Sequence, residues 1–194
     1  MINWKKLWVL LLPLVLSGCM VSLSAEDLYA LPKLPQVYEA LSVRLTELLA
    51  NGAEYAPPQA GGNLPPVQMV DINGDGSDEA LAFLRLSSEE RPLKIYIFRA
   101  VGDGYEQAGV ISGSGTSIHS IRYADLDGNG VQEIIVSWSV SAEIQALAVY
   151  ALEDLEPVQL MSTPYARYEI VDLDGDGEDE LMVLRSDEAE SGGS

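Results

Sequence analysis

One acidic motif occurs three times in the chain and constrains its fold more than any other feature. It reads D-x-[DN]-G-[DN]-G-x-x-E, with aspartate first and glutamate ninth in every copy. The copies occupy residues 71–79, 125–133 and 172–180, which we name loop one, loop two and loop three. They follow one another at intervals of about 50 residues, the length of a four-stranded propeller blade. The sequence therefore predicts repeats of one unit, each organised around such a loop.

The alternate positions of the motif carry oxygen-bearing side chains, which are the ligands that calcium prefers. In a tight loop, side chains at positions one, three and five converge on one point, and the glutamate at position nine closes the shell. Position six is glycine because a sharp turn needs positive φ without a Cβ clash. Position seven offers its backbone carbonyl, so its residue type can vary. The predicted metal ligands are Asp71, Asn73, Asp75, Ser77 and Glu79 in loop one, Asp125, Asp127, Asn129, Val131 and Glu133 in loop two, and Asp172, Asp174, Asp176, Glu178 and Glu180 in loop three.

These loops differ from the EF-hand, which needs a bidentate glutamate at position twelve on a following helix. Position twelve is here Ala82, Val136 or Val183, and short runs of strand-forming residues follow each loop. We therefore expect three structural Ca²⁺ ions, each held between two strands. The alternative is that the Asp-Gly and Asn-Gly pairs only form hairpin turns. Three copies of the same oxygen pattern favour the metal, because crowded carboxylates repel one another unless a cation neutralises them.

The loops and their flanking strands resemble the FG-GAP and VCBS repeats, the calcium-loop blades of integrin α-subunit propellers and many bacterial surface proteins. The resemblance extends over residues 64–186. It implies a β-propeller in which each loop joins the first two strands of a blade. The phenylalanine-glycine and glycine-alanine-proline signatures of the family are not visible here. The resemblance therefore lies with the calcium-loop subset only.

The order of apolar runs predicts a mainly β fold with partial β-propeller-like repeats, about two and a half four-stranded blades, preceded by one short helix. The helix is expected within residues 35–52, where leucines recur at helical spacing. It is expected to pack against the flank of the propeller or to close the first blade, with partner binding as the alternative. A proline- and glycine-rich linker is expected at 53–66, and the calcium-loop repeats take 67–194. We expect the third repeat to be truncated, which would leave an open sheet edge that invites self-association.

The beginning of the chain has the features of a bacterial lipoprotein signal. Two lysines precede the apolar run 7–16, which is too short to span a bilayer. The run leads into Leu-Ser-Gly-Cys19, which resembles a lipobox and contains the only cysteine. The resemblance implies a signal peptide at 1–18, diacylation of Cys19, a tether at 19–34 and attachment to the cell membrane on its extracytoplasmic face. The alternative is an ordinary secreted protein or a membrane anchor whose cysteine falls there by chance.

The strong negative charge of the chain excludes one class of partner. The formal net charge is −19, with 30 acidic and 11 basic residues. Such a chain has no basic surface with which to bind nucleic acid. Much of the charge lies in the three loops, where bound calcium would neutralise it and so influence stability.

No catalytic constellation stands out in the sequence. The only histidine, His119, has no evident nucleophile and orienting partner, and the paired acids that glycoside hydrolysis would need are better used on calcium. We therefore expect no enzymatic activity but a lipid-anchored cell-surface scaffold for binding or adhesion, with a protein or carbohydrate ligand that stays unidentified. The alternative is an accessory calcium-binding domain of a surface hydrolase whose catalytic part is missing from this chain. A dockerin-like module is a weaker option, because strands and not helices follow the loops.

Overall fold

The computed structural model of the chain describes residues 36–113 and 115–185. The predicted signal peptide, Cys19 and the tether lie outside these residues. Among the residues described, no helix combines the length and the apolar character that crossing a membrane requires. The described elements are α1 (Gln36–Ala50), β1 (Glu54–Tyr55), β2 (Val67–Val70), β3 (Glu79–Arg85), β4 (Leu93–Val101), β5 (Gly104–Gly113), β6 (Ser117–Ala124), β7 (Glu133–Ser139), β8 (Gln145–Glu153), β9 (Glu156–Tyr165), β10 (Arg167–Val171) and β11 (Glu180–Leu184).

The strands form three antiparallel sheets that follow one another along the chain. In the first sheet, β3, β4 and β5 pair in order, and both β1 and β2 pair with β3. The second sheet is the meander β6-β7-β8-β9, and the third is the hairpin β10-β11. Each acidic loop joins two neighbouring strands: β2 to β3, β6 to β7, or β10 to β11. The predicted fold class, mainly β with partial propeller-like repeats after one short helix, is confirmed.

The first and second sheets share one core between their facing surfaces. Leu81 and Phe83 on β3 lie in the same buried cluster as Ile134, Val136 and Trp138 on β7. Both strands are buried along nearly their whole length, because each lies inside its sheet and is covered on two faces. This double burial explains why these strands read as continuous apolar runs and not as an alternation of apolar and polar residues.

The helix covers the face of the first sheet that points away from the second sheet. Leu41 and Leu45 of α1 are buried in a cluster with Ala82 and Leu84 of β3. Leucines four residues apart lie on one side of a helix, which is why this spacing forms a single apolar contact surface. The helix thus occupies the place that another sheet would take in the stack.

The third sheet packs on the second in the same manner. Leu181 and Val183 of β11 join Ile170 in a cluster with Ile135 and Val149 of the second sheet. The alternate residues of β11 point to the opposite face, where no described element covers them. The order of layers is therefore helix, first sheet, second sheet and third sheet.

The segment 53–66 is more ordered than its proline and glycine content predicts. It contains β1, and the N–H of Ala56 donates to the carbonyl of Phe83 in the first sheet. The N–H groups of Gln59 and Ala60 donate to the carbonyl of His119. The segment therefore crosses from the first sheet to the second, and its N–H groups find carbonyl partners on both. His119 itself lies within β6, at a register shift in the pairing with β7.

Candidate metal centre

Backbone N–H groups hold the first and fifth side chains of every loop in the same orientation. The N–H at position six donates to the carboxylate of the first aspartate: Gly76 to Asp71 at 2.9 Å, Gly130 to Asp125 at 2.8 Å and Gly177 to Asp172 at 3.0 Å. The N–H at position seven donates to the side chain at position five: Ser77 to Asp75 at 2.8 Å, Val131 to Asn129 at 2.7 Å and Glu178 to Asp176 at 2.9 Å. These bonds fix the predicted ligands on a shared frame of tight turns.

The glutamate at position nine reaches back across every loop. Its carboxylate accepts a hydrogen bond from the N–H at position two: Ile72 to Glu79 at 3.3 Å, Leu126 to Glu133 at 2.8 Å and Leu173 to Glu180 at 2.8 Å. Each of these glutamates is also the first residue of the outgoing strand. The strand therefore fixes the backbone from which the glutamate extends over the loop.

The structure brings the acidic groups closest together in loops two and three. In loop two, Asp125, Asp127 and Glu133 each place a carboxylate oxygen within 4.8 Å of the others. In loop three, the group within the same distance consists of the three aspartates at positions one, three and five. Crowded oxygens of this kind are the hard donor set that calcium selects.

Loop one has an amide at position three, and this amide joins the turn. Oδ1 of Asn73 accepts a hydrogen bond from the N–H of Asp75 at 2.9 Å, and Nδ2 donates to the Asp75 carboxylate at 3.0 Å. Next to it, Oδ1 of Asp71 is buried without a hydrogen-bond partner, and it is the one such side-chain atom found in the described part of the chain. A buried carboxylate oxygen without a partner is costly, and a bound cation would supply one.

The electrostatics of the loops reflect how deeply the closing glutamates lie. Glu79 and Glu133 are each only 2% exposed. Burial raises the pKa of both carboxyls, while the hydrogen bonds from the Ile72 and Leu126 N–H groups act in the opposite direction. The exposed Asp75 behaves differently, because the N–H of Ser77 lowers the pKa of its carboxyl. In each of these two loops a buried glutamate therefore lies beside aspartates of the same loop, and a cation would compensate their charge.

Consecutive loops also contact one another, a feature that the spacing of the motif does not predict. A Cβ on Gly74 would lie 2.4 Å from the carbonyl oxygen of Gly130, so loop one and loop two meet there without room for a side chain. The N–H of Gln132 donates to the carbonyl of Ile72 at 2.8 Å across the same contact. A Cβ on Gly128 would lie 2.6 Å from Oε1 of Glu178 in loop three. The available signal was the glycine at position four of every copy.

A groove of about 610 Å³ opens beside loop one. Its walls include side chains of loop one, Val131 of loop two, Arg99 near the end of β4 and the turn between β8 and β9. The turn residues Asp154 and Leu155 have φ values of 52° and 68°, which only a few residues other than glycine adopt. Leu155 is nonetheless buried in the core between the first and second sheets. The turn is therefore held by packing and fixes one wall of the groove.

The repeat architecture agrees with the comparison to known families. Residues 71–136 match the family described as an FG-GAP-like repeat. The match begins at the first aspartate of loop one and ends within β7, so it includes loop one, the strands β3 to β6 and all of loop two. No curated protein and no solved structure matches the chain. The likeness therefore supports the repeat family over this segment.

Proposed function

We propose that the chain is a lipid-anchored cell-surface scaffold whose propeller-type repeats are stabilised by calcium in the three acidic loops. The observation that carries the proposal is the shared frame of N–H donors in every loop. In loop one this frame leaves Oδ1 of Asp71 buried and without a donor. The donors hold carboxylate and amide oxygens together on rigid turns, and such a set suits calcium better than a softer metal.

The calcium would act as a structural ion and not as a reagent. Each loop connects two strands of a sheet, and its closing glutamate is the first residue of the second strand. An ion in the loop would therefore join both strand ends and remove the repulsion between the loop carboxylates. A site at a hundredfold excess of calcium over its dissociation constant adds about 2.7 kcal/mol to the free energy of unfolding.

The scaffold role is supported by the likeness of residues 71–136 to FG-GAP-like repeats. We propose a protein or carbohydrate ligand, no enzymatic activity and no nucleic-acid partner. The predicted anchor is Cys19, which would tether the repeats to the outer side of the cell membrane. Hydrolysis of a polymeric substrate by the purified chain would contradict this scaffold role and favour an enzyme.

A calorimetric titration tests the calcium sites. The mature chain is stripped with a chelator, titrated with calcium and unfolded thermally with and without the ion. We expect three sites and a clear rise in melting temperature. Asp172→Ala should remove one site and lower the melting temperature only when calcium is present. Asp103→Ala, an exposed aspartate in the turn between β4 and β5, is the matched control and should change neither quantity. Absence of binding, or an equal effect of Asp172→Ala with and without calcium, contradicts the proposal.

Metabolic labelling tests the anchor separately. Cells that express the full chain are grown with an alkynyl fatty acid, and the labelled protein is detected after coupling to a fluorophore. We expect label on the native chain and on Met20→Ala but none on Cys19→Ser. An unlabelled native chain would remove the lipid anchor from the proposal and leave the calcium sites unaffected.

A further inference from the structure

In the part of the chain that the structure describes, the strand β11 has an unpaired edge where its counterparts have none. β3 and β7 follow their acidic loops as β11 does, and they pair further with β4 and β8. Among residues 36–113 and 115–185, β11 pairs with β10 alone. The backbone N–H and C=O groups along its other edge can therefore accept another strand.

The composition of this edge favours strand addition. The four residues Leu181–Leu184 are apolar and include neither a charged residue nor a proline, the two usual means of protecting an edge. On the face that the second sheet does not cover, Met182 is 44% exposed and Leu184 is 65% exposed. The corresponding residues of the first sheet, Leu81 and Phe83, are completely buried. β11 thus has the apolar composition of an internal strand, although one of its faces is exposed.

We propose that β11 pairs with β11 of a second copy of this chain, antiparallel and about a two-fold axis. The register that uses all five strand residues places Met182 opposite Met182 on the axis and Glu180 opposite Leu184. Two further features favour a second copy as the partner. The product is a four-stranded sheet, β10-β11-β11-β10, which equals the second sheet in strand number. A two-fold pairing is also the usual way in which identical chains associate.

Charge complementarity supports the same register. One residue beyond each end of β11, Asp179 of one copy lies opposite Arg185 of the other. The pairing therefore places two opposite charges together twice, once at each end of the joined strands, while the apolar residues occupy the centre. No pair of like charges faces each other between positions 179 and 185.

The geometry of antiparallel strands makes this register testable with cysteines. Residues that face each other have Cα atoms about 4.5–5.5 Å apart. This separation lies within the range that a disulfide spans. A cysteine at 182 therefore lies beside its own copy across the axis. Two cysteines at 184 are separated by four residues along the strand, about 13 Å, and cannot join.

The experiment uses the full chain with Cys19→Ser, so that an introduced cysteine is the only thiol. Cells that express Met182→Cys or Leu184→Cys are treated with a mild oxidant, and the chains are separated without reducing agent. We expect a dimer band with Met182→Cys and its loss with Leu184→Cys. Light scattering of the native full chain in detergent should give twice the mass of one chain, and Met182→Lys should halve it.

The outcomes distinguish pairing between two copies through β11 from an open edge, from binding of a different protein and from a dimer contact elsewhere. A monomeric native chain overturns it, whether the edge stays open or binds a different protein. A dimer that cross-links equally at 182 and 184, or that survives Met182→Lys, also overturns it, because the contact then lies elsewhere. If circular dichroism shows that Met182→Lys does not fold, the proposal is still tested by the Met182→Cys and Leu184→Cys variants and by the mass of the native chain. None of these measurements depends on calcium binding, so the two proposals can fail separately.

Discussion

The contact between loop one and loop two can be tested with two glycines of the same loop. Gly74 and Gly76 both have positive φ, +72° and +87°. A Cβ on Gly74 would meet the carbonyl oxygen of Gly130 at 2.4 Å, whereas a Cβ on Gly76 would meet nothing within 4 Å. Alanine at either position suffers the strain of the left-handed conformation, but only Gly74→Ala forces the two loops apart.

The difference between the two variants can be estimated from these contacts. Placing an L-residue in the left-handed region costs about 1–2 kcal/mol, which is the whole expected effect of Gly76→Ala. Gly74→Ala adds an overpacking cost of about 1–3 kcal/mol, because its obstacle is backbone and cannot rotate away. Gly128→Ala should resemble Gly76→Ala, since its obstacle is the end of the flexible Glu178 side chain, which can move.

Urea unfolding at one fixed calcium concentration measures these differences. The free energy of unfolding should fall most in Gly74→Ala, by at least about 1 kcal/mol more than in Gly76→Ala. Comparison of variants within one loop removes the shared effect of backbone strain. Equal losses in Gly74→Ala and Gly76→Ala would refute the direct packing of loop one against loop two.

Three further predictions concern the contacts between sheets. Leu155→Ala should destabilise the protein by about 2–5 kcal/mol in urea unfolding, because Leu155 is buried despite lying in a turn, whereas Asp154→Ala should cost under about 1 kcal/mol. Tyr123→Phe should lower the free energy of unfolding by about 1–3 kcal/mol, because it removes the hydrogen bond of 2.6 Å from the Tyr123 hydroxyl to the buried Gln68. An unchanged urea midpoint would exclude that bond as a stabilising contact. Burial raises the pKa of Tyr123, so the phenol loses its proton at a lower pH in the unfolded state than in the native state. The free energy of unfolding of the native sequence should therefore fall as the pH rises above about 10. In an unfolding series at alkaline pH, Tyr123→Phe should lose less stability over the same range.

The loops could be predicted from sequence because their chemistry is local. Positions one, five and nine of loop one carry their oxygens within nine residues of chain, and the hydrogen bonds to Asp71, Asp75 and Glu79 all close inside that span. The segment 53–66 could not be predicted in the same way. Its order depends on the carbonyls of Phe83 and His119, which lie far along the chain and become available only when two sheets are complete.

The glycines at position four have one role that the sequence motif predicts and a second that depends on the packing of the sheets. Positive φ at Gly74 and Gly128 is a local need that the repeated motif reveals. Their second role, the close approach of the next loop, exists only because successive sheets stack in the same orientation. The repeated motif therefore predicts the conformation of the turn, whereas the packing of successive sheets determines which residues the turn contacts.

The stacking order gives the two ends of the described stack different properties. At one end, Leu41 and Leu45 of α1 cover the first sheet and bury its alanines and Leu84. At the other end, the described residues leave Met182 and Leu184 uncovered on a two-stranded sheet, although their positions correspond to core positions of the first sheet. In a stack whose layers contact only their neighbours, stability is a sum of layer and interface contributions. Within residues 36–113 and 115–185 the third sheet has one such interface where the second has two, and an isolated hairpin is at best marginally stable. Its stability must therefore come from the second sheet, from loop three and from whatever pairs with the free edge of β11.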